Sequence, residues 1–459
     1  MLFTHPLESA VAALRDRLEG TVVLPGEAAW DEARQAWNLA VDQRPSLVAL
    51  PRCAADVQAL VDFARSHGLR VAMQGTGHNA APMGPLDGTM LVKTSEMRKV
   101  EIDEPHCVAR VEAGALWLDV TGPASEAGLA PLSGSSPDVG VVGYTLGGGL
   151  SWLGRRYGLA CNRLLAAEVV TADGRLVRAS RHEHADLFWA LRGGGGNFGA
   201  VVAIEFELIP LRSVYAGMLA FPWERAREVL QAWREWTAEA PETATTSARI
   251  MQIPPLPDIP EAFRGRALVV IDGAVVEEEA RAAEILAPLR ALGPEVDTFS
   301  SIPPVGLSYI HMDPDHPVPA LGDSAMLDRL DADAIDALVD AAGPGSGSPL
   351  LMVELRHLGG ALGRHAGGAL SRFEGEYVFF ACGIPMDEGV AAALEAHFAL
   401  VGSALAPYAS GRQYLNFTER PAAPAAFYGE AAYERLRQVK AQVDPLELFR
   451  GNHFIPAAS

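Results

Sequence analysis

Strands and helices interleave along most of this 459-residue chain, which predicts an α+β protein of two packed units. Three observations carry the prediction. The length exceeds what one hydrophobic core usually supports. Up to about residue 212, short apolar runs are broken by two glycine-dense loops, and beyond it strands and helices alternate without a loop of that kind. Hydrophobic residues at 49% and charged residues at 20%, with no low-complexity tract, describe a chain that buries a large core rather than a disordered one.

The elements follow in order. Val57, Leu60, Val61 and Ala64 recur at helical spacing within residues 54–67, with Gly68 as the stop. A strand from Leu69 to Met73 comes next, then the turn-rich QGTGHNAAPMGPLDG and a short apolar run from Met90 to Val92. The second loop, SGSSPDVGVVGYTLGGG, fills residues 133–149. So many glycines are costly in chain entropy unless something approaches the backbone closely. LLAAEVVTADGRLVRAS reads as a hairpin turning at Asp173-Gly174, residues 185–191 as a short helix before RGGGGNFG, and AVVAIEFELIP as a strand. In the second unit, strands are expected at 215–221, 246–253, 267–271, 350–358 and 376–382, and helices at 223–238, 276–292 and near 390–405. AAGPGSGSPL, at 341–350, reads as a flexible connection inside that unit.

Charge and cysteine usage exclude several functions. Thirty-seven basic against 57 acidic residues give a net charge of −20, which repels phosphate backbones, so nucleic acid is not an expected partner. No run is read as reaching the roughly 18 apolar residues of a membrane span. The first twenty residues carry charges where a leader would be apolar, so no membrane is expected and the cytoplasm is the expected location. Cys53, Cys107, Cys161 and Cys382 lie far apart without a CxxC pair, which indicates buried thiols rather than zinc ligands or disulfides.

Gly194 to Gly199 match the G-x-G-x-x-G spacing of a dinucleotide turn, but the order of elements is wrong for it. That fingerprint needs a strand entering and a helix leaving, so that the helix amino terminus meets the pyrophosphate; here a helix enters and a strand leaves. The loop Gln74-Gly75-Thr76-Gly77-His78-Asn79 is more informative, since two glycines after a strand let successive amides form an anion-binding nest. Taken alone, His78 reads equally as an ordinary turn histidine. Together with Gly140, Gly143 and the run Gly147-Gly148-Gly149, it suggests a long, flat, diphosphate-bearing ligand held by two loops.

RPSLVALPRCAADVQALVDFARSHGL, the GHN loop, VGVVGYTLGGGLSWLGRRYGL, DLFWALRGGGGNFG and the closing YLNF and DPLELFRGNHFIP segments resemble one known family. It is the FAD-linked oxidases of the vanillyl-alcohol oxidase / p-cresol methylhydroxylase type, and within them the berberine-bridge-enzyme-like branch with its bacterial members. The similarity runs from about Asp31 to the end and is thinnest in the middle third. It implies a two-part FAD-binding domain, residues 1–212 plus a segment 409–459 returning to it, with an inserted substrate domain, 213–408, of antiparallel sheet covered by helices.

The resemblance further implies FAD bonded covalently from His78 to the flavin 8α-methyl carbon, with the pyrophosphate in the loop Gln74, Gly75, Thr76, Gly77, His78, Asn79. Gly140, Gly143, Gly147, Gly148, Tyr157, Asn162 and Val202 fall where the family lines the cofactor, and Asn416 and Asn452 would return to it from the C-terminus. The sequence departs from the pattern in three places. Gln74 and Thr76 stand where the family often has Arg and Gly, and Asn162-Arg163 replaces a usual Asp-Asn pair. Ser136 takes the place of the cysteine that bicovalent members bond to flavin C6, so only the histidyl bond is implied.

Flavin oxidation needs a substrate C–H held at the flavin and a base for the proton of the neighbouring hydroxyl or amine. Tyr414, in YLNF, is the first candidate base, and its strand reading places Asn416 on the same face. Glu354 is the second, because a lone carboxylate on the apolar strand LLMVELRHL must be paired or functional, and Arg356 shares its face. Tyr144, inside the second loop, is the third. The implied activity is hydride transfer from a small organic alcohol, amine or natural-product intermediate of secondary metabolism to the flavin, and then to O2. A dehydrogenase using another acceptor and a non-catalytic flavin- or ligand-binding protein are the other readings.

Overall fold

The computed structural model describes residues 4–257, 259, 261 and 263–458. Among the described residues the first unit holds two main sheets and a two-stranded pairing of Leu129–Ala130 with Ile209–Pro210. In the smaller, the order is Thr21–Val23, Leu47–Leu50, Thr89–Lys93, Arg70–Gln74; the first pair is antiparallel and the other two pairs are parallel. Helix Ala54–Ser66 makes the crossover and buries Val57, Leu60, Val61 and Ala64, the stripe anticipated from its spacing. Gly68, at φ +66°, ends it in the left-handed region that a Cβ disfavours.

The larger sheet runs Val100–Asp103, Val108–Glu112, Ala200–Glu207, Leu164–Val170, Leu176–Ser180, antiparallel throughout. Its last two strands form the expected hairpin, turning through Gly174 at φ +82°. Helix Ala185–Leu191 enters the glycine run and strand Ala200–Glu207 leaves it. The C-terminal segment completes this unit: Phe449 bridges Val71 in parallel, Val71 donates its N–H to Leu448 O, and Arg450 donates to Val71 O.

All strands of the third sheet fall between Val214 and Gly383, and every pairing is antiparallel. Its alternation decides where chemistry can occur. Ala248, Ile250, Val269, Ile271, Val353, Leu355, Phe379 and Ala381 point to one face, where helices Ala226–Glu239, Glu279–Arg290, Ala332–Ala342 and Glu388–Leu405 close a hydrophobic core over them. The residues between them, including Arg249, Met251, Met352, Glu354, Arg356, Phe380 and Cys382, point to the other face, toward the first unit.

Several expectations need correction. Strand Ala267–Val275 runs four residues past the expected end, so the helix placed at 276–292 begins at Glu279. Strand Leu321–Leu327 and helix Ala332–Ala342 lie where no element was anticipated. Cys161 is buried, but Cys53, Cys107 and Cys382 are partly exposed, because they sit at a helix cap, a turn and the cavity-facing strand end; all four are free. The region Glu388–Tyr408 is long and apolar enough to cross a membrane by length and composition, contrary to the sequence reading. Its apolarity is used by Leu394, Phe398, Val401 and Leu405, which are buried against the third sheet.

Candidate active site

Between the two glycine loops and the open face of the third sheet lies a cavity of about 1000 Å³. The loop after strand Arg70–Gln74 supplies Gln74 through Asn79, and the loop at 134–147 supplies Gly140, Gly143, Tyr144 and Gly147. Gly195, Gly196, Asn197 and Gly199 reach the same space, and Tyr414, Asn416 and Asn452 return to it from the C-terminal segment. Most predicted site residues therefore converge, from positions up to 378 residues apart.

Three do not, and one sits behind the loop. Val202 is buried in the core while Val201 lines the cavity, since neighbours on a strand face opposite ways. Tyr157 and Asn162 line a separate cavity of about 340 Å³ with Arg163 and Arg364. Asn162 is held there by donating to Leu370 O, 3.1 Å, and Ser371 O, 3.3 Å. Gly148, at φ +120°, packs against Leu370 and Tyr414, where a Cβ would come within 2.8 Å of Leu370.

His78 is the most constrained group of the first loop. Its Nδ1 is 2.7 Å from Thr76 Oγ1, its ring stacks on Trp37 with centroids 3.9 Å apart, and its Nε2 lies 3.4 Å from Asp138 Oδ1. Asp138 also accepts from Ser136 Oγ at 2.7 Å and from Trp37 Nε1 at 2.5 Å. Burial pushes the Asp138 carboxyl up, but the neighbouring His78 and these hydrogen bonds outweigh it and hold it below the ordinary carboxylate range. Neither Trp37 nor Asp138 carried a signal in the sequence, because each lies in an irregular loop.

The floor on the sheet side is a chain of buried charges. Glu354 is 0% exposed; its Oε1 accepts from Arg356 Nε at 2.6 Å, and its Oε2 is buried without a hydrogen-bond partner. Arg356 is packed between Trp152 and Phe417, 5.5 and 5.0 Å from their ring centres. Below them Asp272 accepts from Arg249 Nη2 at 2.5 Å, from His311 Nδ1 at 2.7 Å, and from Ser247 Oγ. Burial opposes its ionisation, but Arg249 and His311 prevail and hold the Asp272 carboxyl at about 2. With Nδ1 committed to Asp272, His311 presents Nε2 to Arg356 Nη2 at 3.3 Å, with Glu354 Oε1 3.6 Å away. Arg249 and Asp272 were legible in principle, each a lone charge on an apolar strand like Glu354; His311 lies in a loop and was not.

Tyr414 is 2% exposed, and it opens a 3₁₀ turn, Leu415–Phe417, not the expected strand. The turn still brings Asn416 to it: Asn416 Nδ2 donates to Tyr414 Oη at 3.0 Å and to Tyr144 O at 2.9 Å, and Gly149 N–H donates to the same phenol oxygen at 3.1 Å. Burial pushes the Tyr414 phenol well up, more than the hydrogen bonds from Asn416 and Gly149 lower it. Tyr144 has a buried hydroxyl without a partner, and burial raises it too. Another carboxyl at the cavity, Glu419, is pushed up to about 7 by burial.

These features fit a flat diphosphate cofactor. Gln74 Oε1, His78 Nε2 and Asn79 Oδ1 are buried at the first loop without hydrogen-bond partners, and a Cβ at Gly143 or Gly196 would enter open cavity space. Residues 45–180 match the FAD binding domain family and residues 413–456 the berberine and berberine-like family. The chain is 35% identical over 205 residues to the (R)-6-hydroxynicotine oxidase of Paenarthrobacter nicotinovorans, which covers 44% of this chain and 45% of that protein. It thus spans about half the length of that relative, whereas 27% identity to an FAD-linked oxidoreductase of Dictyostelium discoideum extends over 95% of this chain and 94% of the other. The crystal structure of 6-hydroxy-D-nicotine oxidase from Arthrobacter nicotinovorans superposes with a TM-score of 0.81 at 26% identity, covering 95% of this chain and 98% of that one. Glycine loops, a C-terminal return and a sheet-floored cavity stand here in one arrangement, and the chain, with an FAD binding domain match and a berberine-like match, is similar over nearly its whole length to FAD-linked oxidoreductases.

Proposed function

We propose that the protein is an FAD-dependent oxidase of a small ring compound bearing a hydroxyl or amine, with Glu354 as the proton acceptor. The observation that carries this reading is the free Oε2 of Glu354, buried and unpartnered in the same cavity as His78 and both glycine loops. FAD, when bound, accepts the substrate's hydride, and dioxygen is the proposed final acceptor. The side chains of the cavity would do the rest. Arg356 holds Glu354 by one oxygen, leaving the other to take the proton of the hydroxyl or amine. The outer wall, with Met251, Ile253, Leu256, Phe263 and Leu351, offers apolar surface to the body of a ring compound, excluding water around the reacting group.

An anaerobic screen of alcohols, amines and phenolic natural products tests the reading. A competent substrate is expected to bleach the flavin, and re-aeration is expected to restore the colour with uptake of oxygen. Bleaching without oxygen uptake would replace the oxidase by a dehydrogenase.

The covalent attachment is proposed on the placement of His78. Wild-type flavin is expected to stay with the acid-precipitated polypeptide, and His78→Ala to release all of it while still binding FAD before precipitation. Equal retention in both proteins would move the bond elsewhere.

A further inference from the structure

We propose that the smaller cavity, between the two units, is a binding site for a phosphate group, taken either as the free ion or on a small monoester. The site stands apart from the flavin cavity and from the reaction proposed above. The chain has 57 acidic against 37 basic residues, yet the wall of this cavity has the reverse balance, with Arg156, Arg163, Arg364 and His365 against the one carboxylate of Glu207. Arg156 and Arg163 come from the first unit, just past the second glycine loop. Arg364 and His365 come from the loop between strands Met352–His357 and Tyr377–Gly383. Each unit pairs within itself: Arg163 Nη1 lies 2.9 Å from Glu207 Oε2, and Arg364 Nη1 lies 2.7 Å from Oε2 of Glu242, which is outside the wall. Among the described residues no ion pair joins the two walls, so basic groups face basic groups across the space.

Two guanidinium groups there meet no carboxylate among the described residues. Arg156 has the Tyr157 ring, 5.8 Å from its Cζ, and no hydrogen bond from its side chain. Arg192, behind the wall, donates to Ala366 O at 2.8 Å, Asn162 Oδ1 at 3.2 Å and Cys161 O at 3.3 Å, all neutral oxygens. Like charges gathered in this way repel one another unless an anion sits among them. Guanidinium groups offer the planar, paired donors that phosphate oxygens accept, and about 340 Å³ is room for a phosphate on a small body. The sequence carries the same signal. Asn162-Arg163 stands where the family that this chain resembles usually has Asp-Asn, so the wall loses one negative charge and gains one positive. The exchange is built in, because Asn162 Nδ2 donates to Leu370 O and Ser371 O, contacts that an ionised aspartate cannot make.

The test titrates inorganic phosphate into the flavin-loaded protein by isothermal calorimetry, with sodium chloride holding the ionic strength constant. Loading with flavin keeps the pyrophosphate loop occupied. One phosphate per chain is expected, half-saturating at or below about 1 mM. The urea midpoint is expected to rise in phosphate and not in chloride of equal ionic strength, since a ligand of the folded state stabilises it. Arg156→Glu and Arg163→Asn, each with wild-type flavin content, are expected to weaken binding about tenfold or more, the usual worth of a charge-assisted hydrogen bond. Arg156 is exposed and bonds no other group, so its variant reads the site with the fold intact. Glycerol 3-phosphate separates the two sources: binding tighter than that of the free ion makes the ligand a monoester, and equal or weaker binding makes it the ion. Absence of phosphate binding by wild type well above that concentration would overturn the proposal. Wild-type affinity in both variants would overturn it too, by placing the anion elsewhere.

Discussion

Glu354→Gln is expected to slow anaerobic flavin reduction by a competent substrate about 10²- to 10⁴-fold, the usual contribution of a general base. The substitution keeps the shape and the acceptor contact to Arg356 while removing the group that takes the proton, so substrate binding should change far less than the rate. Tyr414→Phe is expected to stay within a few-fold. Its phenol already accepts from Gly149 and Asn416, and burial pushes it further up from its ordinary value. The measurement is stopped-flow bleaching at saturating substrate. A large loss in Tyr414→Phe with an unaffected Glu354→Gln would reverse the assignment. Glu419→Gln supplies the remaining comparison, since burial places that carboxyl at about 7 and a base poised near neutrality is effective.

The contrast between those two candidates shows what the sequence could and could not say. Glu354 was legible because a charge on an apolar strand is costly unless it is paired or used, and the period of two put Arg356 on its face; the structure has that pair at 2.6 Å. Tyr414 was legible only through its motif. Pattern assigned it a strand, but the chain takes a 3₁₀ turn that folds Phe417 onto it, and its burial also depends on Phe373, which no local signal connects to it. Helix Ala54–Ser66 and the hairpin at Gly174 were readable from spacing and turn chemistry alone, since both are local. Asp138 and His311 were hidden for the opposite reason. Each acquires its meaning from a partner 39 to 60 residues away, His78 for Asp138 and Asp272 for His311, through loops that carry no periodicity. Val202 was misplaced by a single residue, which on a strand is enough to turn the side chain from cavity to core.

The largest stability effect is expected at Lys440. Its ammonium is 0% exposed and uses all three donors, to Asp444 Oδ2 at 2.6 Å, Asn197 O at 2.6 Å and Phe449 O at 2.9 Å. Asp444 in turn accepts from the N–H groups of Leu448 and Phe449, which locks the turn that lays the C-terminal segment along strand Arg70–Gln74. Lys440→Met therefore leaves a buried carboxylate without its cation and two carbonyls without a donor. Breaking a buried pair from one side costs about 3–5 kcal/mol, more than the desolvation that removal of the ammonium relieves. Asp444→Leu should cost a similar amount by stranding the ammonium. The double variant should lose clearly less than the two single losses added, because neither charge is then left alone. Urea unfolding of the four proteins at a fixed flavin content gives the cycle. If either single variant stays within about 1 kcal/mol of wild type, the range of an exposed ion pair, the pair does not anchor the C-terminal segment and the glycine loop at Asn197 is held by other contacts.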